Sequence, residues 1–189
     1  MNWLAHLHLS GDDPATQIGN LLPDMLRPPE LRELGKRFQR GIQLHQIIDG
    51  FTDSHDIFRR SASRLDAPLR RYAPILVDVF YDHVLANEWR TYSTTSLSKF
   101  VGAFHDSTHR FEAFLPERAY SKLCGIRDGG LLLSYKSPRG IEHALRRIAS
   151  RLSRPVDLAA SVTTLEEKYD EFAEDFSEFY PQLIKRVGM

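Results

Sequence analysis

The chain repeats histidine and aspartate at helical spacing within segments that are otherwise apolar. His45, Asp49 and Asp53 recur every four residues, and Asp78 and Asp82 repeat that interval. On a helix, residues four apart lie on one face, so each series forms a narrow polar stripe. Imidazole and carboxylate groups together bind ions such as Zn²⁺, Mn²⁺, Fe²⁺ or Mg²⁺. Burying them is costly unless something pairs with them. The spacing therefore favours a divalent metal site.

The same residues also fit structural roles, which the sequence leaves open. His45 fits a salt-bridged histidine, and Asp78 fits an ion pair with Arg71, which falls on the same side of a predicted helix. Asp24 follows a proline at a predicted helix end, where an aspartate often caps the next turn. Each of these alternatives predicts a paired side chain with no metal.

The remaining histidines give weaker signals. His6 and His8 point to different sides of a short predicted helix, so at most one should face a common site. His-Asp dipeptides occur at 55–56 and 105–106, with His109 four residues after the second. A dipeptide alone is a poor indicator of a metal site. We therefore rank both below the cluster that begins at His45.

Composition predicts one globular domain over residues 1–189. Hydrophobic residues make up 42% of the 189-residue chain and aromatic residues 11%, enough for a sizeable core. Cys124 is the only cysteine, so no internal disulfide can form and a reducing, cytoplasmic setting is the simplest expectation. We expect no signal peptide, no membrane span and no nucleic-acid partner. The sequence leaves the oligomeric state open.

Charge is balanced overall but unevenly distributed. The formal net charge is +0, yet residues 136–154 and 27–71 are rich in arginine and lysine, while residues 165–178 are acidic. A neutral protein can still present a basic face to an acidic partner. The alternative is that these stretches are solvated helix faces that pair with one another.

Residue patterning predicts an all-α, single-domain helical bundle. β-branched residues are sparse, and apolar residues do not alternate with period two. Asp13-Pro14 has the form of an N-cap followed by proline at the first helical position. Gly125 and Gly129-Gly130 are expected to mark turns. Helices are predicted at 2–9, 14–22, 30–35, 38–53, 68–90, 97–114, 117–123, 138–153 and 164–187.

Taken together, these residues resemble the acyl carrier protein phosphodiesterases, also called ACP hydrolyases. The resemblance spans most of the chain and is densest in residues 1–90. The segments that carry it are Asn2-Trp3-Leu4-Ala5-His6-Leu7-His8-Leu9, Gly19-Asn20 with Asp24, Gly41-Ile42 with His45, Ile48-Asp49 with Thr52-Asp53, Ala73-Pro74-Ile75 with Asp78, Asp82-His83 with Trp89, and Phe179-Tyr180-Pro181.

The resemblance implies a fold distantly related to HD phosphohydrolases and a divalent cation, Mn²⁺ foremost, with Mg²⁺ or Fe²⁺ as alternatives. It implies hydrolysis of the phosphodiester that joins 4′-phosphopantetheine to a serine of holo-acyl carrier protein, an acidic partner from fatty acid biosynthesis. Residues at matching positions supply the expected metal ligands, which are Asp24, His45, Asp49 and Asp82. Further catalytic or supporting residues are expected beside them, namely Asp53, Asp78, His83 and His6, with Asp24 itself counted as catalytic.

Two other functions fit the same sequence. A metal phosphohydrolase for a nucleotide or another small phosphate ester would share the site and act without the carrier protein. A non-catalytic helical module that docks acidic proteins would bind no metal and would tolerate substitution of Asp24.

Overall fold

The computed structural model describes residues 1–188, and every regular element in that range is helical, which confirms the all-α prediction. The α-helices are α1 (Trp3–His8), α2 (Pro14–Leu21), α3 (Pro28–Glu33), α4 (Gln39–Ser54), α5 (Asp56–Ser63), α6 (Ala73–Asn87), α7 (Trp89–Tyr92), α8 (Leu97–Thr108), α9 (Glu117–Asp128), α10 (Leu131–Ser134), α11 (Pro138–Ala149), α12 (Val162–Glu167) and α13 (Tyr169–Val187). Short 3₁₀ turns lie at Leu22–Asp24, Lys36–Phe38, Leu69–Tyr72, His109–Phe114 and Leu158–Ser161.

Helix α6 is the centre of the core. Its apolar residues surround the whole helix, and Leu76, Phe80 and Val84 are fully buried. A helix that is apolar on all sides must be covered on all sides, and α1, α5, α11 and α13 pack against it. Over the described residues, no helix combines the length and apolar character needed to cross a membrane.

Helices α2 and α4 pack most extensively of all the pairs, and two glycines explain why. A Cβ atom on Gly41 would lie 2.2 Å from the Thr16 carbonyl oxygen and 2.5 Å from the Asn20 nitrogen. A Cβ atom on Gly19 would lie 2.4 Å from the Phe38 carbonyl oxygen. The two backbones therefore touch at this crossing, which only glycine permits.

Several helix ends follow the predicted signals. The Asp13 side chain accepts a hydrogen bond from the Thr16 amide, and Pro14 is the first residue of α2. Helix α2 ends at Leu21, where Pro23 enters a 3₁₀ turn. The first predicted break in the chain is thus confirmed.

Other boundaries differ from the prediction because packing outweighs local propensity. The long helix predicted from 68 begins only at Ala73, after a 3₁₀ turn. Helix α9 continues to Asp128 with Gly125 inside it, because Leu123 and Ile126 are buried on its inner face. The prediction missed α5 and α10, and the last predicted helix is divided at Lys168.

A polar network joins α5 to α13. The carboxylate of Asp175, which is 1% exposed, accepts hydrogen bonds from Arg60, Arg64 and Ser61 at 2.6, 3.0 and 2.6 Å. Burial alone would raise the pKa of Asp175, but these donors hold it below its usual value. Part of the basic stretch at 27–71 is thus used inside the fold, as the alternative interpretation of the charge pattern predicts.

Candidate metal centre

Two histidines and one aspartate meet where α1 approaches α4. Nε2 of His45 lies 2.9 Å from Oδ2 of Asp49, and Nε2 of His6 lies 3.2 Å from Oδ1 of the same carboxylate. The two imidazole rings stack with their centroids 4.4 Å apart. One atom from each of the three side chains falls within 4.8 Å of the others, which is close enough for a shared ion.

Asn20 orients both imidazoles. Nδ1 of His45 lies 2.7 Å from the Asn20 backbone oxygen, which can only accept, so Nδ1 carries the proton. The Asn20 amide nitrogen donates to the His6 carbonyl oxygen and to Oγ of Ser10, at 2.8 and 2.9 Å. Its oxygen therefore faces Nδ1 of His6 at 2.8 Å and accepts from it. Nε2 of His45 is left directed at Asp49, and Nε2 of His6 lies between Oδ1 of Asp49 at 3.2 Å and the Met1 carbonyl oxygen at 3.0 Å.

This arrangement fits a divalent cation. Metal-binding histidines usually donate their second N–H to a fixed oxygen, as both rings do here. Oδ1 of Asp49 is buried and, within residues 1–188, no donor meets hydrogen-bond geometry with it, although Nε2 of His6 lies 3.2 Å away. Burial by itself would lower the pKa of His45, but the neighbouring Asp49 carboxylate raises it above its usual value. Burial by itself would raise the pKa of Asp49, but His45 and His6 hold it far below its usual value. An imidazole–carboxylate set is a ligand set for Mn²⁺, Fe²⁺ or Zn²⁺.

Asp24 stands at the open edge of this group. It ends the 3₁₀ turn after α2, and its side chain is 41% exposed. Oδ1 lies 3.9 Å from Nε2 of His45, while Oδ2 accepts a hydrogen bond of 2.8 Å from the indole of Trp3. The structure thus brings Asp24 close to the two histidines with one oxygen free of the Trp3 contact.

Asp82 is occupied by backbone groups instead. Its two oxygens accept from the Leu4 and Ala5 amides at 2.8 and 2.9 Å, which satisfies the first turn of α1. Burial raises the pKa of Asp82 to about 7, although these two donors act against that shift. Because α1 carries His6, these two hydrogen bonds from α1 to Asp82 support a role for Asp82 in positioning the His6 imidazole.

Asp78 faces a cation that helical spacing does not predict. Its Oδ1 lies 2.9 Å from the Met1 ammonium group, which is also 3.6 Å from Oδ1 of Asp49. Arg71, the partner suggested by helical spacing, lies over the ring of Tyr72, and no ion pair joins it to Asp78 in the described chain. The helix that would have aligned the two begins only after Arg71.

The structure does not bring Asp53 and His83 to the group. Asp53 is exposed one turn beyond Asp49 and makes no side-chain hydrogen bond or ion pair within residues 1–188. His83 lies 2.6 Å from the Tyr135 carbonyl oxygen, and its ring packs against Tyr169. Both residues lie near the group in sequence but face other surroundings.

His8 and His55 have structural contacts. His8 bonds to the Tyr180 hydroxyl at 2.8 Å, so only His6 of the first pair faces the common site, as expected. His55 caps α5 by accepting from the Ile57 amide. Asn20 belongs to a segment that carries the family resemblance, but the sequence prediction assigned it no role. Its signal was an asparagine beside Gly19 in an apolar helix, where it is fully buried.

Fold and site together define an all-α protein in which two buried imidazoles and a half-exposed carboxylate form a group suited to a divalent cation. The chain belongs to the acyl carrier protein phosphodiesterase family, whose family model matches residues 1–183.

Curated relatives carry the same name, acyl carrier protein phosphodiesterase. The relative from Serratia proteamaculans is 31% identical and covers 99% of this chain and 97% of its own. The relative from Salmonella newport is 31% identical and covers 100% of this chain and 98% of its own. The relative from Photorhabdus laumondii subsp. laumondii is 28% identical and covers 99% of this chain and 95% of its own. No solved structure matches the chain.

Proposed function

We propose that this protein removes 4′-phosphopantetheine from holo-acyl carrier protein by hydrolysing the phosphodiester at the carrier serine. The observation that carries the proposal is the group of His6, His45 and Asp49, whose Nε2 atoms converge on one carboxylate. The substrate comes from the family and from the names of its relatives. The proposal places the protein in the cytoplasm, in keeping with its single cysteine.

In this proposal His6, His45 and Asp49 hold the cation, Mn²⁺ foremost, with Asp24 as the fourth protein group. When bound, the cation would supply charge neutralisation at the phosphate and a more acidic water. The oxygen of Asp24 that does not accept from Trp3 would face the cation and orient the attacking water. Asp82 would hold α1 in place for His6. Asp53 and His83 have no contact with the substrate in this proposal.

Basic side chains beside Asp24 support an acidic protein substrate. Arg118 and Lys122 of α9 donate to the Met25 carbonyl oxygen, one residue after Asp24, at 3.0 and 3.3 Å. On another part of the surface, Arg37 stacks over the exposed ring of Phe114, with 3.6 Å between the guanidinium carbon and the ring centroid. Arg118 also pairs with Glu30 at 2.9 Å, so Lys122 beside Asp24 and Arg37 farther away offer the complementary charge for an acidic carrier.

The decisive experiment follows the carrier and the bond that breaks. Holo-carrier incubated with the enzyme and Mn²⁺ in water labelled with heavy oxygen should give apo-carrier and free 4′-phosphopantetheine. The label should appear in the released phosphate, because hydrolysis by attacking water breaks the P–O bond. Mass spectrometry of both products reads this out. Label in the carrier serine would contradict the mechanism, and an unchanged carrier alongside turnover of a nucleotide would assign the site to small phosphate esters.

Carrier recognition should weaken as salt rises. Charges on the surface are screened over about 10 Å at 0.1 M ionic strength, so KM for holo-carrier is expected to increase between low and physiological salt. Reversing Arg37 and Arg40 to glutamate should raise KM more than it lowers kcat, because binding and not chemistry is affected. Steady-state kinetics at several salt concentrations test both effects. A KM that responds neither to salt nor to the reversal would assign these arginines to solvation alone.

A further inference from the structure

A small cleft lies next to Asp24, between α1, α10 and α11. Trp3, Leu131 and Ile148 form apolar walls, and the cleft has a volume of about 40 Å³. One water needs roughly 10–15 Å³ on this scale, so the space suits a branched group of a few heavy atoms. A long chain would have to continue out of its open side.

The cleft and the candidate metal centre share a wall. The indole of Trp3 lines the cleft and donates through Nε1 to Oδ2 of Asp24 at 2.8 Å. Beside it, the Asn2 amide donates to the Tyr135 hydroxyl at 2.9 Å, which fixes the floor. A molecule that reacts beside Asp24 would therefore reach the cleft directly.

Two arginines line the cleft without acidic partners. Arg147 of α11 and Arg151, one turn further on, have no carboxylate within 4.0 Å among residues 1–188. Their neighbour Arg146 differs, because it points away and pairs with Glu142 at 2.6 Å. Free guanidinium groups at the rim of an apolar cleft are suited to phosphate or carbonyl oxygens.

Other basic groups crowd the same edge. The pKa of the Lys122 ammonium is lowered, first by burial and then by Arg151 and Arg118, while Asp24 acts in the opposite direction. This places Arg151 within electrostatic reach of the groups that surround Asp24. An anion bound between them would relieve that repulsion.

We propose that this cleft binds the part of the phosphopantetheine arm next to its phosphate. The branched dimethyl carbon of the arm would lie against Trp3 and Ile148, and Arg147 and Arg151 would contact the phosphate oxygens and the first amide carbonyl. This assignment rests on the proposed function, and it specifies the side from which the phosphopantetheine arm enters the candidate site. The carrier protein would then approach from the α9 side, where Arg118 and Lys122 lie.

Direct binding of the free arm tests the cleft without turnover. Calorimetry measures the affinity of the full-length, Mn²⁺-loaded protein for 4′-phosphopantetheine. In Arg147→Gln this affinity should fall about tenfold or more, because a charged hydrogen bond to the ligand is lost. Ala144→Leu, which adds bulk to the cleft wall, should weaken 4′-phosphopantetheine and phosphate-free pantetheine alike but leave inorganic phosphate unchanged. Arg146→Gln is the matched control and should bind all three probes like the parent.

The outcomes separate this proposal from the proposed function. The assignment of the cleft would be overturned if 4′-phosphopantetheine binds with equal affinity to the parent, Arg147→Gln and Ala144→Leu. This holds even if holo-carrier is still hydrolysed. Failure to hydrolyse holo-carrier would overturn the proposed function, whatever the binding data show. If Ala144→Leu does not fold, Arg147→Gln decides alone, because that side chain is only half-buried and lies on the surface of α11.

Discussion

Replacing Asp49 with asparagine is expected to abolish tight binding of a divalent cation and to lower the hydrolysis of holo-carrier at least about 100-fold. The carboxylate is the one group that both Nε2 atoms approach, at 2.9 and 3.2 Å. Changes to residues that only support a metal ligand already cost about 10–100-fold, so the loss of a ligand charge should cost more. The isosteric amide keeps the packing around His6 and His45.

Asp53→Asn is the matched control for this prediction. It makes the same chemical change one turn further along α4, at an exposed position without a side-chain partner in the described residues. Metal content after gel filtration, calorimetric titration with Mn²⁺ and circular dichroism should show a folded Asp53→Asn protein with parental affinity and activity. Equal losses in the two variants, or parental metal binding in Asp49→Asn, would remove Asp49 from the centre.

Replacing Gly41 with alanine is expected to lower stability and to disturb the candidate metal centre. The new Cβ would need to sit 2.2 Å from the Thr16 oxygen, so α2 and α4 must separate. Overpacking of this kind costs about 1–3 kcal/mol and occasionally more. For a protein of this size each kcal/mol lowers Tm by roughly 2–4 °C, so a fall of about 6–12 °C is expected at the upper end.

Separation of the helices would also pull the Asn20 carbonyl from Nδ1 of His45, now 2.7 Å away. Loss of such a contact should weaken cation binding by about 10–100-fold. Gly50→Ala is the control, because it lies in the same helix and its Cβ would have no atom within 4 Å. It should raise helix stability by up to about 1 kcal/mol. Scanning calorimetry and Mn²⁺ titration compare the two variants. Equal Tm and equal Mn²⁺ affinity in Gly41→Ala and Gly50→Ala would contradict the close contact between α2 and α4.

The sequence by itself determined the class of fold and the contacts that lie within one helix. Helical periodicity and the cap at Asp13 depend only on residues close together in the chain. For that reason they can be predicted from sequence, and the structure confirms both the all-α fold and the start of α2. His45 and Asp49 are four residues apart, and that spacing alone puts their side chains on one face, 2.9 Å apart at the closest atoms. The same rule selected Asp53, which the fold leaves in solvent.

Only the tertiary structure decided which residues from different helices meet. His6 joins His45 because α1 is held by the Asp82 carboxylate, and Asn20 reaches both rings because Gly19 and Gly41 let two backbones touch. Neither contact has a signature in local spacing, since each depends on how closely and at what angle helices cross. Asp53 lies one helical turn beyond Asp49 on the same helix, where it is exposed. Periodicity identifies the face of a helix, but the neighbouring helices determine which part of that face becomes a site.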